Sequence, residues 1–319
     1  FAKEFMARHA LPTASFGIAG SRREAEHLLN RFGLPCVIKL DGLAAGKGVA
    51  VCSGREEADR FLSRIFDEHT FGSSPFVVVE SWLAGTELSY LVITDGATAV
   101  PLAPARDYKR AFDGDRGPNT GGMGSVSCDA LVPEALRVTL QVRLVGPLLG
   151  ALQKEGIDYR GVLYFGLMLT RDGPMILEFN VRFGDPETQV ILPRLVGDLG
   201  ELSLAAAEGR LERVHAGWSS EAAVCVILAS DGYPGAYATG KQIRGLDAVT
   251  DAVVFHAGTA RDGDRVVTTG GRVLGVTATG GSVQLARHRA YTAAGCIHFD
   301  GCFYRKDIAA EFGAATGGE

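Results

Sequence analysis

A glycine-rich segment, KLDGLAAGKG at residues 39–48, connects two short apolar segments that read as strands. Glycines let backbone N–H groups turn toward an anion, and lysines beside them neutralise phosphate charge. The residues concerned are Gly42, Gly46, Gly48, Lys39 and Lys47. A Walker A loop needs Ser or Thr after its lysine and then a helix, whereas Gly48 leads into a strand. The pattern favours a phosphate-covering loop between antiparallel strands; the alternative is a flexible hairpin with solvated lysines.

Composition and charge limit the class of protein. The net charge of −5 over 319 residues offers nucleic acid no basic surface. The longest apolar run, at residues 222–229, is too short for a membrane span, and residues 1–6 do not resemble a signal peptide. The six cysteines are far apart, which indicates reduced thiols. We therefore expect a cytoplasmic protein without nucleic-acid or membrane partners, and the sequence leaves its oligomeric state open.

The order of the predicted elements favours an α+β fold with antiparallel hairpins over alternating βαβ units. The pattern predicts helices at residues 1–15, 24–32, 56–66, 133–156, 188–208 and 283–294, with Ser21 as the N-cap of the second. It predicts strands at residues 35–40, 49–52, 76–80, 87–94, 99–101, 162–170 and 175–180. From residue 222 onward, short strands and glycine-rich turns indicate a change of domain.

Residues 106–127 show no periodicity and are rich in Gly, Asp and Pro. A segment of this length without regular structure is uncommon inside a domain. We therefore predict a functional loop or a disordered segment. The alternative is a solvated, mobile turn.

The segment 175–180, MILEFN, places Glu178 and Asn180 on the same side of a predicted strand, because side chains alternate between faces. A carboxylate beside an amide oxygen suits Mg²⁺, which takes few protein oxygens and completes its coordination with phosphate and water. Arg182 keeps the same parity if the strand continues. Arg182 would then place a cation where a transferred phosphoryl would sit, and further polar residues, among them Asp185, precede the next predicted helix. The alternative is a solvated strand end.

A third candidate site lies at the end of the apolar strand 76–80. Polar groups at a strand end commonly mark the edge of a cleft, where backbone amides can pair with a base and a carboxylate with ribose hydroxyls. Its members are Glu80, Ser81, Trp82, Leu83 and Glu87. This signal is weak by itself, because a tryptophan is more often part of a core than a stacking surface.

Several motifs, in order along the whole chain, resemble those of glycinamide ribonucleotide synthetase, or phosphoribosylamine–glycine ligase, a family of the ATP-grasp superfamily. The motifs are IKLDGLAAGKGV (38–49), GPNTGGMG (117–124), EFNVRFGDPETQ (178–189), VFHAGT (254–259), GGRVL (270–274) and YRKDI (304–308). The resemblance implies an ATP-grasp fold, in which two α+β lobes enclose ATP, followed by a small, mostly β C-terminal domain.

The domain limits that the resemblance implies are a linker helix or N-terminal remnant at 1–15, a small lobe with the glycine-rich flap at 16–81, a large lobe with the metal site at 82–222, and a C-terminal domain at 223–319. Lys39 and Lys47 would contact ATP phosphates. Residues 80–83 would hold adenine, and Glu87 the ribose. Arg110 and Asn119 would lie at the nucleotide site. Glu178 and Asn180 would bind Mg²⁺ or Mn²⁺.

The resemblance also implies a reaction. The glycine carboxylate attacks the γ-phosphate of ATP, giving glycyl phosphate and ADP, and the amine of 5-phosphoribosylamine then displaces phosphate to form glycinamide ribonucleotide. The implied substrates are glycine, 5-phosphoribosylamine and ATP. For this reaction, spacing and charge suggest Arg182 for stabilising the acyl phosphate and Asp185 for the substrate ammonium.

The sequence departs from the family pattern in two ways. The family usually carries about a hundred further N-terminal residues with a G-N-G-G-R-E-H segment, and Arg106 stands where Gln is usual. Two alternatives therefore remain: a truncated fragment that binds Mg-ATP without turnover, or an ATP-grasp ligase or carboxylase with another substrate.

Overall fold

A computed structural model describes residues 1–42, 48–70, 72 and 75–313. The chain divides into two units. Unit 1 contains residues 1–86 and 168–177, and unit 2 contains residues 87–167 and 178–319. The predictions for Gly46 and Lys47 lie outside the described residues.

Unit 1 is built from helices packed on an antiparallel sheet with the strand order β1-β4-β2-β3. Its elements are α1 (Ala2–Arg8), β1 (Phe16–Ala19), α2 (Arg22–Phe32), β2 (Cys36–Asp41), β3 (Val49–Cys52), α3 (Arg55–Phe66) and β4 (Phe76–Ser81).

The core of unit 1 follows from the spacing of apolar residues. Helix α2 buries Ala25 and Leu29, four residues apart, against alternate residues of β4, Val77 and Val79. The predicted N-cap is confirmed, because the Ser21 side chain accepts a hydrogen bond from the backbone N–H of Glu24. Helix α1 ends at Arg8 and is therefore shorter than the predicted 1–15.

Unit 2 contains the remaining elements and is richer in strands. They are β5 (Thr86–Thr94), β6 (Ala99–Pro101), β7 (Arg106–Asp107), β8 (Arg110–Phe112), β9 (Arg116–Asn119), β10 (Gly124–Ser127), α4 (Glu134–Leu140), α5 (Gly146–Lys154), β11 (Gly161–Thr170), β12 (Gly173–Asn180), α6 (Thr188–Ile191), β13 (Leu195–Val196), α7 (Leu199–Glu208), β14 (Gly217–Trp218), β15 (Ala222–Ser230), β16 (Gln242–Ile243), β17 (Val253–His256), β18 (Thr259–Asp262), β19 (Arg265–Thr268), β20 (Arg272–Gly280), α8 (Val283–Cys296) and β21 (Cys302–Phe303). The far end of the β11–β12 hairpin, residues 168–177, groups with unit 1.

Two larger sheets organise unit 2. One has the order β17-β20-β15-β10-β7, with β21 also paired to β15. Strand β15 is buried along its whole length, and α8 packs on β15 and β20. The other sheet has the order β12-β11-β5-β6. Strands β15 and β20 have nine residues each, so the C-terminal part does not consist only of short strands as predicted.

Disorder, one of the two predictions for residues 106–127, is wrong. This segment forms β7, β8, β9 and β10. Strands β8 and β9 pair with each other, and β10 pairs with β7 inside the segment and with β15, about 100 residues later. The pairing with β15 is the part that local composition does not reveal.

The predicted helix at 188–208 is also interrupted. It forms α6, a short 3-10 turn, β13 and α7. Pro193 and Gly197, where φ is +146°, lie in the interruption. The C-terminal part restarts at α7, where the Asp198 side chain accepts hydrogen bonds from the N–H groups of Gly200 and Glu201.

The segment Glu134–Lys154 consists of α4, a π-helical turn and α5. With a mean hydropathy of 1.3 over its most apolar window, it is long and apolar enough, by length and composition only, to cross a membrane. The prediction that no apolar segment reaches this length is therefore wrong. A core helix of a water-soluble protein passes the same test, and Arg137 and Arg143 lie within this segment, so it is a weak indication.

Candidate functional site

In unit 1, Lys39 on β2 forms an ion pair with the buried carboxylate of Glu80 on the neighbouring strand β4. Its Nζ lies 2.9 Å from Oε1 of Glu80 and donates a hydrogen bond of 2.8 Å to the carbonyl of Leu177. A second lysine, Lys3, lies 2.9 Å from Oε2 of the same carboxylate. Glu80 is only 1% exposed. Its side chain therefore binds the two lysines, and its strand β4 is paired on both sides, by β1 and by β2.

The other residues predicted to bind adenine lie at the end of β4: Ser81 is its last residue, and Trp82 and Leu83 follow it. The N–H of Ser81 donates to the carbonyl of Ser15, so this donor is already used inside unit 1. Trp82 is 46% exposed, and Leu83 is half-buried. At the other end of the glycine-rich segment, the carbonyl of Gly48 accepts a hydrogen bond from the N–H of Leu40, which extends the β2–β3 ladder.

In unit 2, Glu87 is paired with a lysine that the sequence did not single out. Oε2 of Glu87 lies 3.0 Å from Nζ of Lys109. Burial opposes the charged form of Lys109, but Glu87 and Asp107 outweigh it and hold the pKa of Lys109 well above its ordinary value. A ribose hydroxyl at Glu87 would therefore share the carboxylate with Lys109.

Arg110 and Asn119 are brought together by the β8–β9 hairpin, in which they are direct cross-strand partners. The Nη1 of Arg110 donates to the carbonyl of Gly117 at 2.9 Å. The hairpin therefore holds both predicted nucleotide-site residues beside each other, in a segment expected from sequence to be irregular.

Strand β12 places Glu178 and Asn180 as the alternation of side chains predicts. Nδ2 of Asn180 lies 3.5 Å from Oε1 of Glu178, so both polar ends are on one side. Phe179 between them packs edge-on against Phe165, with ring centroids 5.4 Å apart. On β11, a Cβ at Gly166 would lie 2.9 Å from Cγ of Glu178, so the glycine makes room for this side chain.

These two oxygen donors fit a hard divalent cation as part of its coordination shell. Among the described residues, no group of three or more His, Cys, Asp or Glu side chains is placed to hold a metal ion. A metal held here would therefore take its remaining ligands from substrate phosphates and water.

Strand β12 ends at Asn180, so Arg182 does not continue it as expected. Arg182 is exposed and donates Nη1 to the carbonyl of Phe183 at 2.8 Å. Asp185 has both carboxylate oxygens engaged: Oδ2 accepts from Nη2 of Arg272 and Oδ1 from Nε2 of Gln189, each at 2.8 Å. An ammonium at Asp185 would compete with these donors.

Arg272 fastens several backbone groups around Asp185. Its Nη1 donates to the carbonyls of Gly121 and Asp185, at 2.6 and 3.0 Å. In the sequence, Arg272 was noted only as part of the GGRVL motif. Its hydrogen bond to Gly121 joins residues about 150 positions apart, so the sequence pattern did not reveal it.

A buried hydrogen-bonded group in unit 2 was missed from sequence. The hydroxyls of Ser89 and Tyr164 both donate to Oε1 of Glu187, at 3.0 and 2.9 Å, and lie 2.9 Å from each other. The sequence signal for this group was the presence of Ser89 and Tyr164 within the otherwise apolar strands β5 and β11. Nearby, burial and the charge of Glu187 raise the pKa of Asp107 well above its ordinary value. The Oδ1 atom of Asp107 is buried and has no hydrogen-bond partner among the described residues.

Comparison with known proteins identifies the family. The phosphoribosylglycinamide synthetase ATP-grasp (A) domain matches residues 1–188, and the C domain of the same synthetase matches residues 223–311. A relative from Caldanaerobacter subterraneus, named phosphoribosylamine–glycine ligase, is 45% identical over 313 residues, which are 98% of this chain and 75% of that protein.

Solved structures agree with these matches. The crystal structure of phosphoribosylamine–glycine ligase from Thermotoga maritima has a TM-score of 0.85 and 40% identity, over 96% of this chain and 77% of that one. The biotin carboxylase domain of a Hydrogenobacter thermophilus 2-oxoglutarate carboxylase has a TM-score of 0.69 at 17% identity, over 95% of this chain and 66% of that one, and shows the fold alone. The predicted α+β fold of the ATP-grasp type is confirmed, and the chain belongs to the phosphoribosylglycinamide synthetase family.

Proposed function

We propose that this protein ligates glycine to 5-phosphoribosylamine at the expense of ATP, giving glycinamide ribonucleotide, ADP and phosphate. The observation that carries the proposal is the 45% identity to a phosphoribosylamine–glycine ligase across 98% of the chain. The reaction has two steps. A glycine carboxylate oxygen attacks the γ-phosphorus of ATP and releases ADP. The phosphoribosylamine nitrogen then attacks the carbonyl carbon of glycyl phosphate and releases phosphate.

Phosphoryl transfer is catalysed mainly by positioning and by neutralising charge. We assign Lys39 and Lys47 to the ATP phosphates. The ion pair with buried Glu80 supports Lys39, because it fixes the direction of a long, flexible side chain before ATP binds. We assign residues 80–83 to adenine, and Gly46 and Gly48 to backbone contacts with phosphate. Glu87, Arg110 and Asn119 complete the proposed nucleotide contacts.

Glu178 and Asn180 would hold Mg²⁺ or Mn²⁺. The metal would supply positive charge that neutralises the phosphate oxygens during transfer. The support is that the Asn180 amide and the Glu178 carboxylate lie on one side of β12, with Nδ2 of Asn180 3.5 Å from Oε1 of Glu178. Glu178 is exposed, so it can reach a cation without losing a buried partner.

Arg182 would stabilise the acyl phosphate, since it is exposed and one of its nitrogens is tied to the neighbouring carbonyl. A guanidinium can bind two phosphate oxygens at once. The unstable acyl phosphate must also be kept from water. The proposed partners are small molecules only, namely glycine, 5-phosphoribosylamine and ATP, and the proposed location is the cytoplasm.

The test is ADP release by the purified chain with glycine alone and with glycine plus phosphoribosylamine. We expect release that depends on both, and its loss in Glu178→Ala. The matched control is Glu221→Ala, which removes an exposed carboxylate just before β15. Failure to bind Mg-ATP would contradict the proposal. Binding of Mg-ATP without glycine-dependent turnover would instead favour a nucleotide-binding chain without ligase activity.

A further inference from the structure

The β8–β9 hairpin in unit 2 pairs with no further strand in the part of the chain that the structure describes. Its two strands form a separate two-stranded sheet, joined by the turn at residues 113–115. A two-stranded hairpin by itself is at best marginally stable in water. This hairpin nevertheless carries Arg110 and Asn119, which the proposed reaction assigns to the nucleotide. Contacts from outside the hairpin must therefore hold it in place.

Those contacts come from residues 305–307, in the C-terminal YRKDI motif, to which the proposed reaction gives no role. Three consecutive residues of the motif bind the three residues of the turn, in the pairs Arg305–Asp115, Lys306–Asp113 and Asp307–Gly114. The hydrogen bonds measure 2.8, 2.7 and 2.8 Å in that order. In the last two pairs a backbone N–H donates to a carboxylate oxygen. The whole turn is therefore attached to one short segment of the C-terminal part.

Arg305 also binds the base of the hairpin. Its Nη1 donates to the carbonyl of Arg110 at 3.1 Å, so it contacts a residue assigned to the nucleotide. Its Nε and Nη2 donate to the two carboxylate oxygens of Asp307, at 2.7 and 2.8 Å. This bidentate pair fixes the plane of the guanidinium, which is buried and lies over the ring of Tyr108. Arg305 therefore joins the base and the tip of the hairpin through one rigid group.

The charges of this attachment favour an arginine at its centre. Burial opposes the charged form of Asp307, but hydrogen bonds from Arg305 and from the N–H of Gly114 outweigh burial and lower the pKa of Asp307. Asp307 is therefore ionised at neutral pH. Removal of the guanidinium would leave Asp307 and Asp115 as neighbouring carboxylates without the cation that they share.

The hairpin lies in the region that matches the ATP-grasp (A) domain, whereas residues 305–307 lie in the region that matches the C domain. We propose that residues 305–307, with Arg305 at their centre, are positioning residues that hold Arg110 and Asn119 in place for ATP. Arg305 acts through the hairpin and does not contact the nucleotide, because each of its three nitrogens already donates within the protein. This inference rests on the nucleotide contacts proposed above.

The test measures the dissociation constant of a non-hydrolysable ATP analogue in the presence of Mg²⁺, together with the KM for ATP and the KM for glycine. Arg305→Met removes the centre of the attachment, and Asp113→Ala removes one contact at the turn. Arg194→Met is the matched control for the first variant, since Arg194 is another fully buried arginine of unit 2. Asp262→Ala is the control for the second, since Asp262 lies in the separate β18–β19 hairpin.

We expect Arg305→Met to raise the dissociation constant and the KM for ATP about tenfold or more, because a loosely held hairpin must be ordered when the nucleotide binds. Asp113→Ala should shift both in the same direction and by less. The KM for glycine should stay within about twofold in both variants, because the hairpin carries proposed nucleotide contacts only. Arg194→Met should lower the unfolding free energy without changing the constants for ATP, and Asp262→Ala should change neither. Equal changes in the KM for ATP and for glycine, or the same loss of ATP binding in Arg194→Met, would overturn the inference.

A double-variant cycle separates positioning from stability. If Arg305 acts through the hairpin, Arg110→Met already removes part of what Arg305 contributes to binding. The chain with both Arg110→Met and Arg305→Met should therefore lose less affinity for the analogue than the product of the two single losses. Losses that multiply would show that Arg305 acts independently of Arg110 and would contradict the inference.

Two further comparisons keep the inference testable. If Arg305→Met does not fold, Asp113→Ala against Asp262→Ala decides, and equal ATP binding in these two would overturn the inference. Unaltered ATP binding in Arg110→Met would overturn it as well, because the hairpin would then lack the contact that Arg305 is proposed to position. Wild-type ADP release with glycine and phosphoribosylamine tests the ligase reaction separately.

Discussion

Lys39 and Glu80 form an ion pair, with Nζ 2.9 Å from Oε1, in which the carboxylate is almost fully buried and the ammonium is not. Lys3 contacts the other oxygen of Glu80 at the same distance. The two lysines therefore share one anion, but only Lys39 also begins the glycine-rich segment. If Lys39 contacts ATP as proposed, its replacement should affect catalysis, whereas replacement of Lys3 should affect only stability.

Replacing Lys39 by Met should lower kcat/KM for ATP about 100-fold, the typical cost of removing one group that stabilises transition-state charge. The matched variant Lys3→Met removes the other partner of Glu80. It should cost about 2 kcal/mol of unfolding free energy, because the buried Glu80 carboxylate keeps only one cationic partner and this loss outweighs the cost of burying the Lys3 charge, and it should leave the KM for ATP unchanged. Steady-state kinetics and chemical denaturation of both variants provide the check. Equal kinetic losses in the two variants would show that Lys39 acts only through Glu80.

Lys3 gives a pH dependence with a defined sign. Burial lowers its pKa from 10.5 to about 8, although Glu80 opposes the shift. Between these two values the folded chain binds fewer protons than the unfolded chain, so the unfolding free energy rises with pH across this window. Below about pH 8 the lysine is charged in both states, and the cost of burying it is complete.

The unfolding free energy of the wild type, relative to Lys3→Met, should therefore increase by at most about 3 kcal/mol from below pH 8 to near 10.5. Chemical denaturation across this range measures the difference. The control is Lys154→Met, which removes an exposed lysine at the end of α5 and should give a constant difference. A constant difference for Lys3→Met as well would disprove the lowered pKa.

Sequence patterns over a few residues correctly predicted the features that depend on neighbouring residues. The strand Val49–Cys52 and the cap at Ser21 match the structure, and the period of two correctly placed Glu178 and Asn180 on one side of β12. These features depend on residues a few positions apart.

Features that depend on distant partners could not be predicted in this way. Strand β10 exists because Gly124 to Ser127 pair with β15, about 100 residues later. The ion pairs of the buried Glu80 with two lysines, and the hydrogen bonds of Glu187 with two hydroxyls, likewise join residues that are far apart in the sequence. The break between α6 and α7 differs, because Pro193 and Gly197, which disfavour a continuous helix, are local signals in the sequence.

The metal assignment gives a binding prediction that does not depend on turnover. Glu178→Gln should weaken the binding of Mn²⁺ to the chain with a bound ATP analogue about tenfold or more, because the charged ligand is lost. Electron paramagnetic resonance of free Mn²⁺ measures this directly. Glu221→Gln, the matched exposed carboxylate, should leave the affinity unchanged. Unaltered Mn²⁺ binding in Glu178→Gln would remove Glu178 from the metal site.

Two buried tyrosines on neighbouring strands test the polar group around Glu187. The hydroxyl of Tyr164 lies 2.9 Å from both Ser89 Oγ and Glu187 Oε1, whereas the buried hydroxyl of Tyr90 has no partner among the described residues. Tyr164→Phe should lower the unfolding free energy by about 1–3 kcal/mol, because a carboxylate loses a donor. Tyr90→Phe should be neutral or slightly stabilising, because an unsatisfied hydroxyl is removed from the core.

Both substitutions delete a single oxygen from a side chain that is less than 5% exposed, so the change in packing is matched. Denaturant unfolding of the two variants gives the comparison. If the two losses are equal, the hydroxyl of Tyr164 contributes no more than that of Tyr90.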